Sequence, residues 1–255
     1  MGDSILKGKK WAVCGDSFSS GDFKKGPEDA VNVITEPGTY QGFKKVYGYI
    51  IGNRNEMDIQ FLAYGGKCLA CPPDGSFHNS FTDMKCNEYN PEWFNYKDIA
   101  EDADYITLYF GINDSHHEPG THGDDGEAKA GPVLIGTAAD EDTSTFCGAY
   151  NVVLRWLLEN RPFAHIGIIV SNGMDRDEYR VRTIEIAKKW GIPYIDLNGD
   201  ERTPMMIRSS NPVHSEEARL MRTKAMAVNY GVNNHPNAAA HEYESYFIEN
   251  FLKTL

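Results

Sequence analysis

The feature that most constrains the fold is a pair of short, almost continuous apolar runs at residues 105–110 and 164–170. Such runs, rich in β-branched and aromatic residues, are typical of parallel strands that are buried on both faces. Similar runs at residues 11–14, 58–63 and 193–197 predict three further strands. The sequence therefore predicts a parallel sheet with no face open to water.

Segments with apolar residues at helical spacing alternate with these strands, which predicts an α/β protein whose sheet is covered on both sides. The predicted helices span residues 42–54, 148–160, 177–190 and 238–255. No repeat or linker divides the chain, so we expect a single domain over residues 1–255, with long loops at about residues 19–40 and 114–145. Long loops are often functional, and both of these leave the same edge of the predicted sheet. Solvated insertions are the alternative.

Composition limits the partners of this chain of 255 residues. Its net charge of −12 disfavours nucleic acid and anionic membrane surfaces as partners. No apolar stretch approaches the roughly 20 residues of a membrane span, and the N-terminus has no signal-peptide core. We therefore expect a cytoplasmic protein as written, with export by another route or a trimmed chain as alternatives. The sequence does not indicate the oligomeric state.

The cysteine pattern gives little support for a metal site. Cys68 and Cys71 form one close pair, with Cys86 and His78 nearby, whereas a structural zinc site usually needs a second close pair.

A glycine-rich phosphate-binding motif does not follow the first strand, which disfavours a nucleotide- or flavin-binding protein. We expect neither a metal nor a cofactor.

Ser17 is the first candidate site residue, because Gly15-Asp16-Ser17 directly follows the first predicted strand. Ligands of open α/β folds bind at the carboxyl ends of the strands. The same tripeptide at residues 2–4 has no strand before it and is taken as chance. A serine can act as a nucleophile on an ester if a base removes its proton and donors stabilise the oxyanion.

The candidate base is His235, which follows a loop and comes just before Pro236 and the last helix. His116 and His117 are its best rivals, because they lie beside Asn113 at the same predicted edge. His165 lies in a predicted strand and is more plausible as a structural residue. The spacing also leaves open the other histidines, which are His78, His122, His214 and His241.

Three donors could stabilise an oxyanion at this edge. The first is the Ser17 backbone N–H, and the second is the N–H of Gly66, which lacks a side chain and can approach closely. The third is the Asn113 side-chain amide, which follows the third strand. The alternative for Asn113 is a turn residue that bonds to its own backbone.

These blocks resemble those of the SGNH hydrolases, also called GDSL esterases and lipases. The resemblance rests on Gly15-Asp16-Ser17, Gly66, Gly111-Ile112-Asn113-Asp114 and His235-Pro236-Asn237, which occur in the family's order from about residue 11 onwards. It implies a three-layer α/β/α, flavodoxin-like sandwich around a five-stranded parallel sheet. It also implies metal-free serine chemistry, with catalytic Ser17 and His235 and an oxyanion hole of Ser17, Gly66 and Asn113.

The chain departs from the family pattern three residues before the histidine, where the family usually has an Asp that orients the imidazole. Val232 occupies this position here. We expect a Ser17–His235 dyad in which a loop carbonyl or the side-chain oxygen of Asn233 or Asn234 holds the imidazole. A carboxylate from elsewhere in the chain, such as Asp114, is a less favoured alternative.

The expected function is hydrolysis of short acyl esters, most plausibly acetyl groups on a neutral carbohydrate. Acidic residues of the second long loop would repel anionic substrates. These residues are Asp124, Asp125, Glu127, Asp140, Glu141 and Asp142. The alternatives are a lipase or thioesterase of the same family, and a binding module that has kept the fold and lost the chemistry.

Overall fold

The computed structural model describes residues 4–21, 32–36, 39–43, 45–71, 78–116, 121–122, 128–129, 134–171, 177–197, 216–229 and 233–255. Its centre is a five-stranded, entirely parallel sheet with the strand order β2-β1-β3-β4-β5. The strands are β1 (Lys10–Gly15), β2 (Asp58–Ala63), β3 (Tyr105–Tyr109), β4 (His165–Val170) and β5 (Tyr194–Asp196). All five predicted strands are confirmed, with bounds shifted by one or two residues at most.

Helices connect the strands and follow the last one. They are α1 (Ser17–Ser20), α2 (Tyr47–Asn55), α3 (Cys86–Tyr89), α4 (Ile112–His116), α5 (Phe146–Asn160), α6 (Asp177–Trp190), α7 (Glu216–Met226) and α8 (Ala238–Leu252), with a 3₁₀ turn at Tyr96–Asp98. The predicted helices over residues 148–160, 177–190 and 238–255 correspond to α5, α6 and α8. No helix in these described ranges is both long and apolar enough to cross a membrane.

The prediction of a helix over residues 42–54 is wrong in its first third. The strand Thr39–Phe43 pairs antiparallel with the strand Asn32–Glu36, and the helix begins only at Tyr47. Val46, directly before it, has an extended backbone, with φ −82° and ψ 153°. Aromatic and β-branched residues favour extended structure, and Gly42 disfavours helix, so apolar spacing alone was misleading here.

The two predicted long loops are partly ordered into short elements. The first contains the last two residues of α1 and most of the ribbon just described, and the second contains the last three residues of α4 and a small antiparallel ribbon of Thr121–His122 with Ala128–Lys129. The acidic residues of the second loop fall into two groups. Asp140 and the two acidic residues after it are described, and the other three lie outside the described residues.

The strand order places helices on both faces of the sheet. The chain moves from β1 to β2 in one direction and from β3 through β4 to β5 in the other. Because parallel crossovers are right-handed, α2 and the pair α5 and α6 lie on opposite faces. Helix α8 packs against α2, which completes a three-layer α/β/α arrangement and confirms the predicted fold class.

The face under α2 and α8 is closely packed. The strand register shows which residues share this face. Val13 is aligned with Thr107, and Thr107 with Gly167. Trp11 lies two residues before Val13 and therefore on the same face. A Cβ on Gly167 would come within 2.8 Å of the Phe251 ring. Glycine therefore lets α8 lie directly on β4.

A buried hydrogen bond joins the two central strands on this face, and we expect its loss to destabilise the fold. Trp11 Nε1 donates to Thr107 Oγ1 at 3.0 Å, and both side chains are fully buried. Thr107→Val would leave the indole N–H unpaired, at a cost of about 1–3 kcal/mol in the free energy of unfolding, measured by urea denaturation. Thr107→Ser keeps the hydroxyl and should cost only about 1 kcal/mol for the lost methyl group. A valine variant as stable as the wild type would contradict this account.

Candidate active site

Ser17 lies at the first turn after β1, at the carboxyl edge of the sheet. Asp16 caps the short helix α1, and its Oδ1 accepts from the Phe18 backbone N–H at 2.9 Å. Gly15 is required at the end of the strand, because a Cβ there would collide with the Ser19 side chain. The Ser17 N–H is one of the first N–H groups of the helix, which have no intrahelical acceptor and can bind an anion.

The structure brings His235 to Ser17. The Ser17 hydroxyl oxygen lies 2.8 Å from His235 Nε2, although 218 positions separate the two residues in the chain. The Phe18 ring packs against the imidazole, with ring centroids 5.3 Å apart. Ser17 is 5% exposed and His235 is half-buried, so the pair is close to the surface without being open to it.

A short ribbon and a helix cap hold His235 in place. The strand Asn233–Pro236 pairs antiparallel with Ala227–Asn229. Directly afterwards, Asn237 caps α8 by accepting from the Ala240 N–H, and its Nδ2 donates to the carbonyls of Ala225 and Ala227. This role of Asn237 was missed from the sequence, although an Asn immediately before a helix is a known capping signal.

Gly66 lies in a tight turn after β2. The Lys67 N–H donates to the Tyr64 carbonyl at 3.2 Å, which closes the turn, and Gly66 has φ +76°. This is the third position of a type II turn, where a positive φ favours glycine. The turn is tied to β1 because the Tyr64 N–H donates to the Gly15 carbonyl at 3.2 Å. Within the described part of the chain, the Gly66 N–H donates to no acceptor.

Asn113 lies in α4, which begins directly beyond β3, and it contacts the Gly66 turn. Its Nδ2 donates to the Lys67 carbonyl at 3.1 Å. The amide group carries a second N–H, which this bond does not use. The structure thus brings Asn113 to the residue that follows Gly66, while Ser17 lies at the end of the neighbouring strand β1. The roles of these residues in an oxyanion hole stay predictions.

Asp114 holds the segment that follows the turn. Its buried carboxylate accepts from the backbone N–H groups of Leu69 and Ala70, at distances between 2.9 and 3.1 Å. Burial raises the pKa of Asp114 to about 6, while the two N–H donors act in the opposite direction. The alternative in which Asp114 orients His235 is weakened, because its carboxylate is engaged by this segment instead.

Of the two asparagines predicted to orient His235, one has an undescribed side chain. The Asn233 side chain lies outside the described residues, as does Val232 at the position of the family's usual Asp, and Asn234 is half-buried in the strand that carries His235. The dyad held by a loop carbonyl or an asparagine oxygen therefore stays a prediction.

The structure pairs Ser17 with His235, and it gives three other histidines different contacts or positions. His165 begins β4, at the opposite edge of the sheet, as expected for a structural residue. His78 and His241 lie 3.0 and 2.7 Å from the carboxylates of Asp83 and Glu244. The remaining ones are His116 at the end of α4, His122 in a two-residue strand, and His117 and His214, which lie outside the described residues.

The cysteines and the candidate metal ligands do not form a cluster in the described ranges. None of the five cysteines, all of which lie in the described ranges, forms a disulfide. No group of three or more His, Cys, Asp or Glu side chains among the described residues could hold a metal ion.

Comparisons with known proteins give the fold. No family model and no curated protein matches the sequence. A structure described as a GDSL-like lipase from Bacteroides ovatus matches with a TM-score of 0.56 at 15% identity, over 98% of this chain and all of that one. A family two carbohydrate esterase from Clostridium thermocellum, in complex with cellohexaose, matches with a TM-score of 0.56 at 14% identity, over 100% of this chain and 66% of that one.

An acetyl xylan esterase from Butyrivibrio proteoclasticus is also similar, with a TM-score of 0.54 at 18% identity, over 99% of this chain and 65% of that one. At such identities the likeness is one of fold. The chain therefore has the α/β fold of GDSL-like lipases and family two carbohydrate esterases, which confirms the resemblance to SGNH hydrolases at the level of the fold.

Asp16, beside the candidate nucleophile, should make the free energy of unfolding of the protein depend on pH. Its carboxyl group is fully buried, Oδ2 has no hydrogen-bond partner in the described structure, and burial raises its pKa to about 8. Between pH 4 and 8 the folded protein therefore keeps a proton that the unfolded chain releases. The free energy of unfolding should fall as the pH rises, by up to about 1.4 kcal/mol per pH unit from this group.

The Asp16→Asn variant removes this titration and keeps an oxygen for the helix cap. We expect its stability relative to the wild type to increase from pH 4 to pH 8, as measured by urea denaturation at several pH values. A stability difference that stays constant over this range would contradict the assignment. The titration of Asp114 affects both proteins and largely cancels in the comparison.

Proposed function

We propose that the protein is a serine hydrolase that cleaves carboxylic esters, with Ser17 as nucleophile and His235 as general base. The observation that carries this proposal is the 2.8 Å separation of Ser17 Oγ and His235 Nε2 at the carboxyl edge of the sheet. A serine and a histidine at this distance have the geometry of an activated nucleophile. The esterases and lipases among the structural neighbours support the same class of reaction.

In the first half of the proposed reaction, the Ser17 oxygen attacks the ester carbonyl carbon while its proton passes to His235 Nε2. The carbonyl oxygen becomes an oxyanion in the tetrahedral intermediate. When the bond to the leaving alkoxide breaks, the imidazolium returns the proton to that oxygen, which releases the alcohol. The acyl group remains on Ser17 as an ester.

The developing oxyanion would be stabilised by three N–H groups, from the backbone of Ser17 and Gly66 and from Asn113 Nδ2. The Ser17 N–H starts a helix, whose N-terminal end favours negative charge. The Gly66 N–H donates to no acceptor among the described residues, and the Asn113 amide has one N–H beyond its bond to Lys67. All three residues follow strands that are neighbours in the sheet, so the donors can converge on one point.

In the second half, a water molecule takes the place of the alcohol. His235 accepts a proton from the water, the resulting hydroxide oxygen attacks the acyl carbon, and the same N–H groups stabilise the second oxyanion. Return of the proton to the Ser17 oxygen frees the carboxylic acid and regenerates the site.

The proposed substrate is a short acyl ester, with an acetyl group on a neutral carbohydrate. The structural neighbours named as a carbohydrate esterase and an acetyl xylan esterase support this choice. The acidic Asp140 and Glu141 disfavour an anionic substrate, although Glu141 is partly neutralised by Arg155 at 3.1 Å. Lipid esters and thioesters are the alternatives within the same chemistry, and the GDSL-like lipase supports the first of them.

The experiment that tests this function is hydrolysis of a chromogenic acetyl ester by the wild type and by Ser17→Ala. Loss of the nucleophile should lower kcat by about 10⁴-fold or more, because Ser17 and His235 act as a unit. Ser20→Ala is a matched control, since Ser20 is a buried serine in the same helix and should leave the rate unchanged. A series of acyl chain lengths separates an acetyl esterase from a lipase. Absence of Ser17-dependent turnover at every length would favour a binding module.

Asn113→Ala tests the oxyanion donor apart from the nucleophile. Its loss should lower kcat by about 10²–10³-fold, since an oxyanion donor acts mainly in the transition state, and KM should change little. Steady-state kinetics on the same acetyl ester give both constants. A variant with unchanged kcat would contradict the role of Asn113 in the oxyanion hole and leave its bond to the Lys67 carbonyl as its only role.

A further inference from the structure

Lys67 is a fully buried lysine in the turn that carries Gly66. Burial of an ammonium group is costly unless polar groups surround it. Its Nζ donates to the Phe94 carbonyl at 3.0 Å and lies 5.0 and 5.9 Å from the ring centroids of Phe94 and Trp93. The side chain thus fixes the turn after β2 to the segment around residues 93–94.

The backbone of the same residue connects the turn to the neighbouring strand. Its N–H closes the turn on Tyr64, and its carbonyl oxygen accepts from Asn113 Nδ2. Lys67 is therefore adjacent to one proposed oxyanion donor, Gly66, and hydrogen-bonded to another. A displacement of Lys67 would move both donors relative to Ser17.

The ammonium group keeps its charge at neutral pH in this buried position. Burial lowers its pKa to about 8, and the carboxylates of Asp83, in the loop before α3, and Asp98, in the 3₁₀ turn, oppose the shift. A charged donor makes a stronger hydrogen bond to a carbonyl than a neutral one does, which suits Lys67 to hold the turn rigidly.

We propose that Lys67 is a positioning residue of the oxyanion hole, whose buried side chain fixes the turn so that Gly66 N–H and Asn113 Nδ2 face the same point. The inference rests on the proposed esterase function. In this role Lys67 takes no direct part in the chemistry, because it acts only through Gly66 and Asn113. Misplacement of catalytic groups by about 1 Å can cost about 10²-fold in rate, so a positioning residue has a measurable effect on kcat.

The test uses Lys67→Met, which keeps a long apolar side chain and removes the charged donor. We expect kcat on the acetyl ester to fall by about 10- to 100-fold, with KM within twofold of the wild type. Lys189→Met is the matched control. Its Nζ also donates to a loop carbonyl, that of Ala138 at 2.7 Å, and also lies near an aromatic ring, but it contacts no proposed site residue. This control should retain kcat and KM.

Hydrogen–deuterium exchange gives a readout that does not depend on activity. The amides of Lys67 and Cys68 are hydrogen-bonded in the wild type, so the peptide over residues 64–70 should exchange slowly. In Lys67→Met this peptide should exchange faster, and in Lys189→Met it should not. Faster exchange in this peptide alone, together with the loss of kcat, supports the proposal.

Three results would overturn it. The first is wild-type kcat in Lys67→Met, and the second is a raised KM at unchanged kcat, which would assign Lys67 to substrate binding. The third is an equal loss in both lysine variants with faster exchange throughout the chain. If the wild type has no Ser17-dependent turnover, the esterase function fails and the oxyanion-hole role fails with it, and exchange alone decides whether Lys67 fixes the turn. Unchanged exchange over residues 64–70 in Lys67→Met would then overturn it.

Discussion

The parallel pairing of β1 with both β2 and β3 is the constraint on which the rest of this structure depends. β1 is buried between β2 and β3. The chain runs from β1 outward to β2, returns across β1 to β3, and then continues in the other direction to β4 and β5. In an α/β sheet this reversal opens a crevice at the carboxyl ends of the strands. Ser17 and Asn113 follow the two strands that flank the reversal, and Gly66 follows the strand beside them. The arrangement of the strands therefore determines how far apart the backbones of these three residues lie.

Buried polar groups hold the loops of this edge, at a cost in stability. Asp16 caps α1, the helix that begins with Ser17. Asp114 accepts hydrogen bonds from two backbone N–H groups of the segment after β2, and Lys67 donates to the Phe94 carbonyl. Burial disfavours the charged form of each group, which is why the pKa values of the two aspartates rise and that of the lysine falls. An apolar core would fold more easily, but it could not direct N–H groups towards a single point.

The sheet was predictable because its signal is local. Strands buried on both faces need continuous apolar runs, and residues 105–110 and 164–170 carry that pattern in full. The helix at residues 42–54 was predicted too long, because apolar spacing alone does not distinguish a helix from an adjacent strand that is rich in aromatic residues. The positions of Ser17, Gly66 and Asn113 at one edge followed from their places just after predicted parallel strands, because the carboxyl ends of such strands share one edge of the sheet. The roles of Asp114 and Lys67 could not be predicted, because their partners Leu69 and Phe94 are recognisable only in space.

The sequence by itself determined that the chain forms a parallel α/β sheet, with a serine, a glycine and an asparagine each placed just beyond a strand. Hydrophobic periodicity and turn residues act over a few positions, and they can be read without knowledge of the fold. The resemblance indicated His235 as the base, whereas residue spacing alone left other histidines open. Only the tertiary structure shows the contact of His235 with Ser17, which joins residues 218 positions apart. It depends on how α8 packs against α2 and on the ribbon that precedes α8. Such a contact is fixed by packing across the whole domain, which no local pattern encodes.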